Sequence, residues 1–276
     1  MLTYAIRQAV CQFGAIGLHY TERQLYYETC RVVVPWQRYV PMNLPPPVAW
    51  PRFAASLAAL QERQGRLVGL LPPPAARVAQ GVPAELGDFT LPRVLLCADS
   101  ALVAMFDHNH LSLELSSPVF SAEAACPLPT LLAHMLQREG GRVYLLHDAS
   151  AAGLQLAAHL PTRLHLPEGV KFSALGLRPI HAMRLRLFVA GEARRRGGEE
   201  AGRREAQDED RDTEWQSALP SKERRWLARG RSAELAALHP LRLMRTLRRL
   251  LHPEAPVPNL WTQLRRWPQL GHMSWP

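Results

Sequence analysis

Two stretches in the middle of the chain share one design. Residues 93–106, RVLLCADSALVAMF, and 141–160, GRVYLLHDASAAGLQLAAHL, each pass from an apolar block through a short turn of small and acidic residues into a helix-forming segment. An apolar block without polar alternation is a strand buried on both faces, and helices alternating with such strands imply a parallel sheet covered on both sides. Between them, LPTLLAHMLQREGG (128–141) has the spacing of an amphipathic helix, and LHLPEGVKFSALGLRP (164–179) reads as a further short strand and turn. Ligands of such sheets sit outside the carboxyl ends of the strands, here at Asp99, Ser100, His147, Asp148 and Ser150. An aspartate at that position also serves as a cap for the following helix, and both roles stay open for Asp148.

Ahead of this region lies a helical module. Leu2, Ile6, Ala9, Val10 and Phe13 recur at helical spacing up to Gly14 and Gly17. A second helix then starts at Thr21, an N-cap with Gln24 three residues on, and runs to Val34 before Pro35 stops it. It carries HYTERQLYYETCR (19–31), in which Arg23 and Tyr27 are four apart and share a face. A guanidinium beside a phenol suits attack on a phosphodiester, the cation steadying the phosphate while the oxygen bonds to it. A tyrosine pair on a helix is also an ordinary half-core, half-surface element. The proline-rich VPMNLPPPVAWP (40–51) predicts extended chain, 53–64 a third helix, and GRLVGLL (65–71) with ARVAQGV (76–82) two short strands around a proline loop. Three helices and a hairpin make a winged helix, a module that binds duplex DNA; a generic small α+β domain is the alternative.

The remaining chain is dominated by charge. Of 33 basic residues all but Lys171 and Lys222 are arginine, and the net charge of +9 favours nucleic acid as a partner. The same arginine bias also follows from a GC-rich genome. Residues 192–214, EARRRGGEEAGRREAQDEDRDTE, have almost no apolar content and read as a solvated loop. Helical spacing resumes over 221–251 with Arg224, Arg225, Arg229, Arg231, Arg242, Arg245, Arg248 and Arg249. Cys11, Cys30, Cys97 and Cys126 have no paired spacing and read as reduced, buried thiols of a cytosolic protein rather than a zinc site. DHNH (107–110) is a surface turn rather than a metal pair. No run of eighteen apolar residues exists, and the N-terminus lacks the regions of a secretory signal, so no membrane partner is expected.

Taken together, these segments resemble a family. TERQLYY is similar to the T-x-R-[DE]-[IL]-Y-Y signature of the DNA-cleaving A subunit of type IIB topoisomerases (topoisomerase VI) and its meiotic double-strand-break relatives. Gly65, Leu67, Val68 and Gly69 resemble that family's G-L-V-x-G wing strand. YLLHDASAAGLQL resembles its Toprim motif, a D-x-D at a strand end followed by a glycine, with Asp148 as the first aspartate and Gly153 as the glycine. SALGLRP (173–179) is similar to its G-L-x-P segment, and WLARGRSAELAAL (226–238) to a closing helix with an E-L-x-A-L core. The matches are collinear over about residues 15–250.

The resemblance implies an α/β fold: a winged helix over 1–84, a Toprim domain over 90–192 with a mostly parallel, Rossmann-like sheet, a charged loop over 193–219 and a basic helical part over 220–276. It implies Tyr27 as the nucleophile with Arg23 beside it, forming a tyrosyl-phosphodiester with one strand of duplex DNA. Arg31, Arg52, Arg66, Arg245, Arg248 and Arg249 are the expected DNA-binding residues. It further implies a homodimer whose mate supplies the metal, a GHKL-type ATPase B subunit as partner, and a nucleoid-associated place in the cytoplasm. Magnesium would sit on Asp148, Asp99 and Ser150. Here the chain departs from the family: Ala98 stands at the metal-binding glutamate, with Asp99 one residue later, and Ser150 replaces the second aspartate. Magnesium favours hard carboxylate oxygens, so this set weakens the site. Three activities follow: a DNA-cleaving subunit, a catalytically impaired DNA-binding scaffold, or a Toprim nuclease of a defence system in which the tyrosine is incidental.

Overall fold

A computed structural model describes residues 1–40, 42–73, 93–138, 140–191 and 212–251. The apolar blocks form strands β1 (Arg93–Cys97) and β3 (Arg142–Leu146), joined by β2 (Val119–Ser121) and β4 (Lys171–Ala174) in an all-parallel sheet ordered β2-β1-β3-β4. The register pairs Leu95 with Tyr144 and Tyr144 with Ser173. Successive strand residues point to opposite faces, and both faces are covered. Val94, Leu96, Val143 and Leu145 pack on one side with helices α6 (Thr130–Arg138) and α7 (Ala151–Leu164). Leu95, Cys97, Tyr144 and Leu146 face the other side, toward α4 (Ser100–His108), the N-terminal helices and the C-terminal helix.

Helices α1 (Leu2–Gly14), α2 (Glu22–Val33) and α3 (Trp50–Gln64) form the N-terminal module. The expected capping box exists: Thr21 Oγ1 accepts from Gln24 N at 3.2 Å, and Gln24 Oε1 accepts from Thr21 N at 3.0 Å. A cap of this kind stabilises a helix by about 1 kcal/mol. Trp50 and Pro51, expected in extended chain, are instead the start of α3, because proline fits the first helical turn where its missing N–H has no partner to lose. Residues 35–39 make a 3-10 turn. The expected strand over 65–71 is reduced to one parallel bridge, Tyr20 with Leu70, in which Tyr20 N donates to Gly69 O and Leu71 N donates to Tyr20 O, both at 2.9 Å. The second wing strand, 76–82, lies outside the described residues.

The apolar cluster of this module runs without a break into the sheet. Ile6, Phe13, Leu25 and Phe53 belong to the same core as Leu146, Leu177, Phe188 and Leu247. Asn109, at the end of α4, clamps the α1–α2 turn: it accepts from His19 N at 3.1 Å and donates to His19 O at 2.9 Å. In the DHNH turn ahead of α5 (Leu111–Glu114), Asp107 accepts from Ser112 Oγ at 2.8 Å, and His108 is exposed with its Nδ1 2.8 Å from Ala104 O.

After β4 the chain turns through α8 (Pro179–Arg184). The charged loop expected over 192–214 lies outside the described residues up to 211, and from there α9 (Asp212–Ser217) is helical. Helices α10 (Ser221–Ala228) and α11 (Pro240–Leu251) follow; Leu243, Leu247 and Leu250 of α11 are buried while Arg245 and Arg249 are exposed. No single closing helix spans 226–238. Gly230 at φ 61° ends α10, and the next residues cross the sheet as an extended strap. Cys30 and Cys97 are buried as expected, whereas Cys11 is exposed and Cys126 half-buried; all four thiols are free. No helix of the described residues is long and apolar enough to cross a membrane.

Candidate active site at the seam between the helical module and the sheet

The strap decides the geometry. Ser232 pairs with Ala190 and Ala233 with Ala149, each antiparallel, and Ala149 N–Ala233 O and Ala233 N–Ala149 O are both 2.9 Å. Residues 232–237 therefore lie across the carboxyl end of β3 and end in a 3-10 turn over Leu235–Ala237. The far end is pinned to α2, where the Arg31 guanidinium donates to Ala237 O and pairs with Glu28 at 2.5 Å.

Beneath the strap sit the sequence candidates. Tyr27 is 2 % exposed, its ring stacked with Phe188 at 6.3 Å and edge-on to Tyr26 at 5.0 Å. Tyr26 in turn donates its hydroxyl to Val48 O at 2.6 Å and packs on Trp50 and Phe53. Arg23 lies over the Trp50 ring at 4.0 Å and reaches Glu234 at 3.8 Å. Burial pushes the Tyr27 phenol well above its ordinary pKa of 10.0, the Glu234 carboxylate adds to the rise, and the Arg23 charge opposes it. Tyr26 and Asp148 raise it further. The phenol is therefore neutral at physiological pH and has no open approach for a phosphate in this arrangement. Arg23, Tyr27 and Asp148 of one chain nevertheless lie near one another, whereas the resemblance implies that the dimer mate supplies the aspartate.

The strand-end residues are occupied by the backbone. Asp148 Oδ1 accepts from Leu235 N at 2.6 Å, so its carboxylate faces the strap. Asp99 caps α4 through Ala101 N at 2.8 Å, and Ser150 caps α7 through Gly153 N at 3.0 Å. Gly153 is required where it stands, since a Cβ there would lie 2.4 Å from Asp148 O. A magnesium ion wants several oxygen ligands with carboxylates among them. Asp99 and Asp148 are the two carboxylates at these strand ends, each already accepts an N–H, and among the described residues no group of three His, Cys, Asp or Glu side chains is placed to hold a metal. This donor set does not fit a resident magnesium ion.

His147 is buried behind Asp148, its Nδ1 2.9 Å from Asp148 O, and burial lowers its pKa below 6.5. Gly176, from the SALGLRP segment, packs directly on this ring. Arg178 of the same segment forks onto Glu223 of α10 at 2.7 Å, a carboxylate only 1 % exposed.

The expected DNA contacts separate into two groups. Arg52, Arg66, Arg245 and Arg249 are exposed. Arg31 is instead committed inside the seam, and Arg248 pairs with Glu114. Sequence reasoning missed Glu234, which meets Arg23, and the Leu235 N–H, which holds Asp148. Their segment carries an E-L-x-A-L spacing that reads as helix, and only Gly230 and the following Arg-Ser pair signal a break. Compared with known proteins, the chain matches no family model and no curated protein.

Proposed function

We propose that this chain is a duplex-DNA-binding protein, similar to the A subunit of type IIB topoisomerases, that holds DNA as a scaffold and does not cut it while the strap is closed. The observation that carries the non-cutting part is the sealed pair: Tyr27 is 2 % exposed with its phenol kept neutral, and Asp148 is held by the Leu235 N–H. DNA as the partner is supported by the net charge of +9 and by exposed Arg52, Arg66, Arg245 and Arg249. In this reading α1–α3 with residues 65–73 act as part of a winged helix, and the guanidinium forks bind backbone phosphates rather than bases. A second copy of the chain and a GHKL-type ATPase subunit are the partners that belong with it.

One arrangement favours the cleaving reading. Arg23 acts on the Tyr27 phenol in the direction that would activate it, beside the same Asp148. Displacement of residues 232–237 would expose this trio.

Fluorescence anisotropy with a short labelled duplex tests the scaffold. Each phosphate contact contributes a slope of about −0.9 to log K against log salt, so four arginines give roughly −3 to −4. Replacing Arg245 and Arg249 by Ala should flatten the slope by about 2, and affinity indifferent to salt would remove DNA from the proposal. Supercoiled plasmid incubated with Mg²⁺ or Mn²⁺ and stopped with denaturant tests the rest. Unbroken plasmid is expected. Protein-linked breaks that vanish in Tyr27→Phe would replace the scaffold by the cleaving subunit, and nicks that vanish only in Asp148→Ala would replace it by a nuclease.

A further inference from the structure

Two histidines from distant parts of the chain meet on the surface where the helical module joins the sheet domain. His19 lies in the turn between α1 and α2, and His108 is the last residue of α4. Their ring centroids are 5.6 Å apart. Zinc–nitrogen bonds of about 2.0–2.1 Å put the centroids of two imidazoles that share one ion roughly 5–6 Å apart. An ion therefore fits between these rings after side-chain rotation, with the backbone left in place.

The surroundings prepare both rings. His108 Nδ1 donates to Ala104 O at 2.8 Å. A carbonyl only accepts, so Nδ1 holds the proton and the neutral ring presents the lone pair of Nε2. Metal-ligating histidines are oriented in this way, their second nitrogen bonded to a backbone carbonyl or a carboxylate. His19 is held through its backbone: its N donates to Asn109 Oδ1 at 3.1 Å, and its O accepts from Asn109 Nδ2 at 2.9 Å. The same Nδ2 donates to Met105 O at 2.7 Å, which ties the amide to α4. Asn109 follows His108 directly, so one clamp fixes His19 against the residue that carries the other ring. His108 is exposed and His19 half-buried, which leaves the pair open to a hydrated ion. No third His, Cys, Asp or Glu of the described residues joins them, so water completes the coordination. Two neutral imidazoles without a carboxylate suit zinc and its neighbours and not magnesium, which prefers oxygen ligands.

We infer that His19 and His108 form a surface site for a late first-row divalent cation such as zinc, which ties the α1–α2 turn to the end of α4. The inference goes beyond the DNA reading and does not depend on it, because neither Tyr27, Asp148 nor an arginine of the proposed DNA surface takes part. The site is also distinct from the DHNH turn taken alone, since one of its ligands comes from the N-terminal module. Ligands so far apart in sequence meet only in the folded chain, so the ion stabilises the fold.

Isothermal calorimetry on the full chain, without nucleic acid, uses Zn²⁺ alone, with Mg²⁺ as the comparison. Loss of a supporting neighbour already costs a metal site about 10–100-fold, so His19→Gln and His108→Gln should each weaken the tightest Zn²⁺ by at least about tenfold. His134→Gln, an exposed position of α6 on the opposite face of the sheet, should leave it unchanged, and Mg²⁺ should not saturate. Urea curves give a second readout: Zn²⁺ at about 100 times its Kd should raise the midpoint of the wild type and of His134→Gln, and of neither site variant. Metal-free curves check that each variant folds; should one site variant fail, the other and the wild-type shift decide. Unchanged Zn²⁺ affinity in folded His19→Gln would put the ion on the DHNH turn alone and overturn the inference. Absence of saturable Zn²⁺ binding, or binding that leaves the wild-type midpoint where it was, would overturn it as well.

Discussion

Replacing Gly176 by Ala adds one methyl carbon at a place where there is no room. A Cβ built on Gly176 falls 2.2 Å from His147 Cδ2, 2.4 Å from Cγ and 2.5 Å from Nε2. Ordinary contact begins at 3.4 Å, so the ring must retreat by 3.4 − 2.2, about 1.2 Å. It cannot do so freely. His147 is 2 % exposed, its Nδ1 is 2.9 Å from Asp148 O, and its own carbonyl accepts from Leu177 N at 2.8 Å. Overpacking of this kind costs about 1–3 kcal/mol, and a stretched buried hydrogen bond adds about 0.5–1.5 kcal/mol. A total of roughly 2–4 kcal/mol should lower the urea midpoint by about 1 M or more, with the slope unchanged. Gly14→Ala is the control: Gly14 is helical and nothing lies within 4 Å of its Cβ, so stability should hold or rise by about 0.4–1 kcal/mol. Adding His147→Ala should recover at least about 1 kcal/mol of the Gly176→Ala loss, since the two residues are in contact. A Gly176→Ala protein within about 0.5 kcal/mol of wild type would refute the packing argument.

Arg31→Met removes the bonds to Glu28 and Ala237 O while keeping the stem; loss of hydrogen bonds from a charged group predicts about 1.5–3 kcal/mol of destabilisation and faster amide exchange at Ala233 and Leu235, and unchanged exchange would mean the strap is held by other contacts. Gly153→Ala should destabilise by about 1–3 kcal/mol, read from the same urea curves, because the new methyl meets immobile backbone at Asp148 O. The pH dependence follows from two buried histidines, His147 and His181, and the half-buried His239. Burial lowers the pKa of His147 and His239, and holds His181 at about 2, where its Nδ1 accepts from Arg178 N. Their folded values lie below the unfolded 6.5, so the unfolded chain binds protons first; stability is full above pH 6.5 and falls on acidification, by at most about 1.4 kcal/mol per pH unit for each histidine. Urea midpoints level between pH 7.5 and 5 would contradict that burial.

Local signals in the chain determined much of this molecule. The duplicated apolar blocks at 93–97 and 142–146 became adjacent parallel strands, because strands without polar alternation are stable only when both faces are covered. The Thr21–Gln24 box set the start of α2, since both its hydrogen bonds lie within four residues. Those local features also put Arg23 and Tyr27 on one helix and Asp148 at a strand end. The three-residue strand β2 escaped notice because so short a run has no periodicity to count. What only the tertiary structure decided is how the pieces close. Glu234, Leu235 and Ala237 are more than 80 residues from Asp148 and more than 200 from Arg23 and Arg31, yet they meet Arg23, hold Asp148 and turn Arg31 inward. A salt bridge or a carbonyl–guanidinium bond between such distant residues leaves no trace in local spacing; it exists because the core shared by the N-terminal helices and the sheet brings their backbones together.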